Sequence, residues 1–174
     1  MRFDTHARGT VAALVFLGLA ATGCATTVSG TPSPAAQTSP SPAQDVFAGL
    51  NACQLLDQLN AGEGFRPGRN ISKRNECTST KNEYGARGLA LDPVQGLREF
   101  LQTDPNATET TVNGRRALES PGSAGACDIA IEMGPHARVL VDITIASANE
   151  YARACPDARQ FAQRVEPLLP KTPS

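Results

Sequence analysis

The run Cys127-Asp128-Ile129-Ala130-Ile131-Glu132-Met133-Gly134-Pro135-His136-Ala137-Arg138-Val139-Leu140-Val141-Asp142-Ile143-Thr144-Ile145 decides the fold. In its first half Cys127, Ile129, Ile131 and Met133 alternate with Asp128, Ala130 and Glu132. In its second half Val139, Val141, Ile143 and Ile145 alternate with Arg138, Leu140, Asp142 and Thr144. Successive side chains of a strand point to opposite faces, so a period of two over this length predicts two strands of a sheet with one buried face. Gly134-Pro135-His136 between them predicts a hairpin.

Working upstream, Thr108 to Val112 and Arg115 to Glu119 flank Asn113-Gly114, a pair that tolerates positive φ and marks a second hairpin. Glu76 to Thr80 and Ala86 to Leu91 predict a third, around Asn82 to Gly85, although its second strand alternates less cleanly. Three helices frame these strands. Leu50, Cys53, Leu56 and Leu59 recur at helical spacing before Gly62. Asp92-Pro93 resembles a cap followed by a first-turn proline, with Val94, Leu97 and Leu101 as the apolar stripe and Asp104-Pro105 as the stop. The last helix spans about Pro156 to Val165, with Ala158, Phe161, Ala162 and Val165 on one face and Leu168 and Leu169 docking beyond it. The expected fold is α+β: a single antiparallel sheet with helices packed on its buried face.

The first residues read differently. Arg2 and Arg8 precede an apolar run from Gly9 to Ala21, which is the form of a secretory leader and is shorter than the roughly 20 residues needed to span a bilayer. Ala21-Thr22-Gly23-Cys24 places small residues before a cysteine, as in the lipobox cut by the lipoprotein signal peptidase. Residues 1–23 are therefore expected to be a signal peptide, and Cys24 the lipidated residue that anchors the chain on the extracytoplasmic side of a cell membrane. Residues 24–44 are Thr, Ser, Pro and Ala with almost nothing large, a composition that cannot bury enough apolar area to order itself and suits a tether. The folded domain is expected in residues 45–174.

Of 16 basic and 17 acidic residues, the leader removes Arg2, Arg8 and Asp4, leaving 14 and 16 and a charge near −2. That balance argues against nucleic acid as a partner. With Cys24 committed to lipid, four cysteines remain: Cys53, Cys77, Cys127 and Cys155. An even number outside the cytoplasm predicts disulfides, and the lack of any C-x-x-C pair argues against zinc or thioredoxin-type redox chemistry. Three pairings are possible and loop entropy does not choose among them. Element order favours Cys53 with Cys77 and Cys127 with Cys155, each bridge then pinning one terminal helix to the sheet. The aromatic share of 5% and the absence of Trp make the core poor in large anchors, so these staples should matter to stability.

Residues suited to catalysis are sparse. Beyond the leader His136 is the sole histidine, in a turn. Gly122-Ser123-Ala124-Gly125 lacks both the spacing and the following helix of a nucleophile elbow or phosphate loop. Asp128, Glu132 and Asp142 share the polar face of two strands, where a carboxylate pair can serve acid–base chemistry or hold a cation; Arg138 and Thr144 lie on the same face and can neutralise it. Arg66, Arg69, Lys73 and Arg74 cluster before Cys77 and form the best candidate surface for an anion or an acidic partner. No metal or cofactor is expected.

Taken with the lipobox, the order of short motifs is informative: Thr26-Thr27-Val28-Ser29-Gly30-Thr31, Asn51-Ala52-Cys53-Gln54-Leu55-Leu56, Val112-Asn113-Gly114-Arg115-Arg116-Ala117, Cys127-Asp128-Ile129-Ala130-Ile131, and Cys155-Pro156-Asp157-Ala158 with Phe161-Ala162 and Leu169-Pro170. This order resembles the actinobacterial lipoproteins of the domain of unknown function 3558 family. Asn51-Ala52 and Ser79 stand where that family usually has Asp-Pro and an aromatic residue. The resemblance implies a cell-envelope protein of mycobacteria and their relatives and supplies no activity. The expected function is that of a non-enzymatic protein-interaction module held at the membrane by its lipid. A binding protein for a small ligand, lipid or glycan, is the alternative, and a deep pocket lined from the sheet would mark it.

Overall fold

The computed structural model describes residues 45–171, so the expected leader, Cys24, the expected tether and the last three residues lie outside the described residues. Within them the order is α1 (Ala52–Asn60), β1 (Arg69–Asn70), β2 (Glu76–Lys81), β3 (Gly85–Asp92), α2 (Leu97–Thr103), β4 (Thr108–Val112), β5 (Arg115–Pro121), β6 (Ala126–Gly134), β7 (Ala137–Ile145) and α3 (Ala154–Val165). Short 3-10 turns, Ala148–Arg153 and Glu166–Leu168, bracket α3. The seven strands form one antiparallel sheet in the order β1-β2-β3-β7-β6-β5-β4.

β7 sits at its centre, hydrogen-bonded to β3 on one side and to β6 on the other. Its alternation is the one read from the sequence: Val139, Val141 and Ile143 are completely buried and Ile145 nearly so. The register aligns Cys77, Leu89, Val141 and Ile129 in one apolar row across four strands. That face receives α1 and α3, which bury Leu55, Leu56 and Leu59 from the first and Ala158, Phe161, Ala162 and Val165 from the second. Alanines at two of the four α3 positions let this helix lie close to the sheet. Leu169 is buried and Leu168 packs beside it, as expected.

Local chemistry explains the helix ends. The Asn51 side chain accepts from the Gln54 amide at 3.1 Å, an N-cap that satisfies one of the free amides of the first turn of α1. Asn75, just before β2, accepts from Ala52 N at 2.8 Å and donates to Leu50 O at 2.9 Å, so one side chain ties the start of α1 to the start of the sheet. In the β4–β5 turn Asn113 and Gly114 adopt φ of 50° and 87°, the positive values the hairpin requires.

Two local readings differ from the structure. The helix expected from Asp92 begins at Leu97. The Asp92 carboxylate instead accepts from Val94 N and Gln95 N at 3.0 and 3.1 Å, closing a tight turn. Gly96 then passes so close to the β6–β7 turn that a Cβ there would meet Pro135 O at 2.5 Å. Glu99 reaches back to Gly96 N at 2.8 Å and starts the helix, leaving Val94 exposed instead of in the stripe. The segment from Gly62 to Asn75, where the sequence shows no periodic element, contains β1, a two-residue edge strand with both side chains exposed and hence no apolar alternation to read.

α2 also adds a layer. It lies in the crossover from β3 to β4, and its Leu97 and Phe100 bury against Leu118 and Ala130, with Leu140 partly buried beside them. These sheet residues alternate with the main core set, so α2 covers the face opposite α1 and α3. The sheet is thus buried on one face along its length and on the other face at its β5–β7 end.

Both disulfides pair as element order favoured, Cys53–Cys77 and Cys127–Cys155, with Cα separations of 5.1 Å each. The first joins α1 to β2 and the second joins β6 to α3. Peptide mapping of the unreduced protein should recover these two pairs. Cys127→Ser should expose Cys155 as a free thiol, leave the first bridge intact and lower stability by about 3–4 kcal/mol, the chain-entropy value for a closed loop of this size; denaturant titration with thiol labelling reads both.

Candidate functional site

The four basic residues singled out in the sequence are all exposed, and the structure divides them into two pairs. Arg66 and Arg69, with Pro67, Thr78 and Thr80, line a groove of about 310 Å³ at the sheet edge. No carboxylate belongs to its wall. Arg69 lies opposite Thr78 in β1, while Arg66 donates its backbone N–H to Thr80 O at 2.8 Å and a guanidinium N–H to Asn82 at 3.3 Å. Lys73 and Arg74 fall beyond the other end of β1, where Arg74 lies 3.8 Å from Glu76.

This edge is firmly seated. The Asp57 carboxylate accepts from Gly68 N at 2.6 Å, and Ser79 donates to Arg66 O at 2.5 Å. Gly68 passes over the disulfide, where a Cβ would meet Cys77 Sγ at 2.7 Å. The bridge at Cys77 therefore holds the loop in place.

The acidic face resolves into a dyad. Asp128 and Asp142 are directly opposite on β6 and β7. Glu132 is drawn away by Arg116 at 3.3 Å. Arg138, expected to neutralise this face, turns aside: it donates to Gly96 O at 3.1 Å and Gln95 at 3.0 Å, lies 3.9 Å from Asp92, and stacks over Phe100. Burial first, and then the neighbouring charge and hydrogen bond of Asp142, push the Asp128 carboxyl up to about 7, with Asp104 adding to the effect. Burial also raises Asp142 above the usual carboxylate range.

Facing the pair across the sheet are Gly88, which offers no side chain, and Ser120, whose hydroxyl is engaged by Asp104. The dyad thus retains a shared proton near neutrality. Beside Asp142 runs an open cleft of about 270 Å³ whose floor is largely apolar, including Ala90 and Leu140. Its Thr78 hydroxyl donates to Arg87 O at 3.4 Å.

His136 stands exposed in the β6–β7 turn, with Nδ1 3.5 Å from Glu99. The hydrogen bond from Arg98, followed by that from Gly96 N, holds Glu99 down to about 2. Gly122 to Gly125 form a turn between β5 and β6, with Gly122 N bonded to Ala126 O. Glu119, Cys127 and Cys155 lie close enough together to suggest a metal site, but both sulfurs are committed to the disulfide and Glu119 is held by Arg159 at 2.6 and 2.7 Å.

A further cluster escapes the sequence reading. Phe65, Lys81, Tyr84, Arg87, Arg153 and Arg164 meet around a polar cleft of about 220 Å³ between the Gly62–Pro67 loop, the β2–β3 turn and α3. Arg87 shares its strand face with Leu89 and Leu91, so an arginine stands where the alternation calls for an apolar residue. That irregularity was the available signal. The guanidinium lies 4.3 Å from the Phe65 ring centre, 4.8 Å from Phe161 and 5.4 Å from Tyr84, and it donates to Asn60 and Glu63 at 2.7 Å. Partial burial would raise Glu63, but hydrogen bonds from Arg87 and Arg164 hold it below the usual range. Burial raises the Tyr84 phenol, which stays neutral and hydrogen-bonds Asp157 at 3.1 Å.

Compared with known proteins, the chain matches no family model, no curated protein and no solved structure.

The dyad makes stability depend on pH with a definite sign. The folded state keeps a proton that the unfolded state releases, so its contribution falls as pH rises from about 4 to about 7 and levels off above. Urea midpoints should therefore be higher at pH 5 than at pH 8. Asp142→Asn, which removes the second charge, should flatten that slope and raise the midpoint at pH 8. Glu99, held to about 2, does not contribute in this window. A wild-type midpoint that is level or rises between pH 5 and pH 8 would contradict this account of the pair.

Proposed function

We propose that the chain is a lipoprotein of the cell envelope, lipidated at Cys24 on the extracytoplasmic side of the membrane, and that its domain is a non-enzymatic protein-interaction module. The observation that carries the reading is the edge at β1: Arg66 and Arg69 line a carboxylate-free groove on a loop held by the Cys53–Cys77 bridge. Lys73 and Arg74 continue the charge beyond it. Such a surface suits an acidic protein partner, since a pre-ordered guanidinium fork loses little freedom on meeting carboxylates.

Other features agree with this reading. The apolar interior is filled by side chains from both helices and sheet, and the described residues form no deep apolar pocket lined from the sheet. No helix among the described residues is long and apolar enough to cross a membrane, which leaves the lipid as the proposed attachment. The motif order noted above supports kinship with the domain of unknown function 3558 lipoproteins and the envelope location that this kinship implies.

Two measurements test the proposal. Wild-type protein should partition into the detergent phase of a Triton X-114 extract and Cys24→Ala should not; equal partitioning would remove the anchor. Replacing Arg66, Arg69, Lys73 and Arg74 together by Ala should leave the melting temperature within a few degrees of wild type, because exposed charges contribute little to stability. The same variant should abolish whole-cell crosslinking from a photoreactive residue placed at Asn70. Crosslinking that persists undiminished would exclude the basic edge.

A further inference from the structure

The cleft around Arg87 does not belong to the edge surface, and its construction points to a ligand. An inward residue of β3 beside Leu89 and Leu91 has no structural need of charge, and replacing buried ion pairs with apolar side chains is often neutral or stabilising. Here the guanidinium is held among three rings and fixed by Asn60 and Glu63, so that its plane is set in advance. Three further cations share the wall. Arg164 meets the same Glu63 at 2.7 Å, Lys81 lies over the same Phe65 ring at 5.7 Å, and Arg153 lies 6.0 Å from the same Tyr84 ring.

Charge in the wall is unbalanced. Arg153 is paired with Glu150 at 2.9 Å and with Asp157 at 3.3 Å, and Glu63 is divided between Arg87 and Arg164, but Lys81 has no carboxylate within 4.0 Å among the described residues and leaves the wall with an excess positive charge. The rings do not offer free faces for stacking, because the cations occupy them. A lone carboxylate is satisfied by one guanidinium fork, whereas several converging cations suit a tetrahedral group carrying two charges.

We propose that this cleft binds a phosphate monoester group, with Arg87 as the fixed donor at its base and Lys81 and Arg153 closing on the group from the rim. The group can come from a soluble phosphate ester or from a lipid headgroup, and the chemistry of recognition is the same for both. This inference goes beyond the interaction reading and rests on different residues.

The test uses the full chain with its anchor in neutral detergent micelles, titrated calorimetrically with inorganic phosphate and with glycerol 3-phosphate. Single-site saturation is expected, weakening as salt is added, with a shift of the Arg87 Nε–H resonance in the proton–nitrogen spectrum. The Lys81→Ala/Arg153→Ala double variant, altered only at the rim, should bind at least about tenfold more weakly. Arg66→Ala/Arg69→Ala should bind like wild type.

Arg87→Met should fold and lose binding; if it fails to fold, the rim variant still decides. Absence of saturation by about 10 mM overturns the proposal, as does equal binding by the rim variant, or loss of binding in the edge variant instead. Micelles doped with phosphatidic acid separate the sources: competition with glycerol 3-phosphate that depends on Lys81 and Arg153 supports the headgroup, and its absence with soluble binding intact supports the soluble ester. The edge reading can fail without affecting any of these outcomes.

Discussion

Everything in this domain depends on the register of β7. Side chains of a strand alternate with a period of two, so a slip of one residue against β3 or β6 would turn Val139, Val141, Ile143 and Ile145 out of the core and bring Arg138 and Asp142 into it. The cost of burying those charges makes the register unambiguous. From it follow the floor beneath α1 and α3, the landing site of α2 on the reverse face, and the juxtaposition of Asp128 with Asp142. Fold and chemistry are set by the same parity.

The two faces then serve different ends. On the first, alanines of α3 and leucines of α1 close over the aliphatic rows, and each terminal helix is bonded to the sheet through a disulfide. A core with few aromatic residues depends correspondingly on such links. The second face is only partly roofed by α2, and its polar residues are accordingly retained: Arg138 folded against Phe100 and Gly96, and a carboxylate pair left to share a proton. The two proposed binding surfaces lie at the β1–β3 end of the sheet, beyond the part roofed by α2.

Legibility in the sequence followed from how much of an element was amphipathic. β6, β7 and α3 have uninterrupted patterns and were read correctly, as was the Asn113-Gly114 turn, whose backbone conformation few residue pairs tolerate. The disulfide partners came from the order of elements. β1 was invisible because an edge strand with two exposed side chains has no pattern. The start of α2 was misplaced because Asp92 makes its hydrogen bonds within a turn, an arrangement that a local sequence cannot distinguish from a cap. Of the basic cluster, the structure brings Arg66 and Arg69 onto one groove and sets Lys73 and Arg74 beyond the other end of β1, a division that sequence proximity does not show. The Arg87 cleft went unread because its members come from three separate segments, and only the charged residue interrupting the β3 alternation marked it.

Placing β7 between β3 and β6 also sets an order of events as the chain lengthens from its N-terminus. β2 and β3 are made long before the strand that must join them to the rest, and the β4–β6 meander is complete before it too, so two half-sheets wait for one late insertion. Cys53 and Cys77 lie together in the early half, whereas Cys127 and Cys155 both follow. The first bridge can close before the second pair of thiols exists. With Cys24 acylated as proposed, a chain oxidised as it emerges N-terminus first from export meets no competing partner at its first bond and a single remaining one at its second, so vectorial export guards against disulfide scrambling.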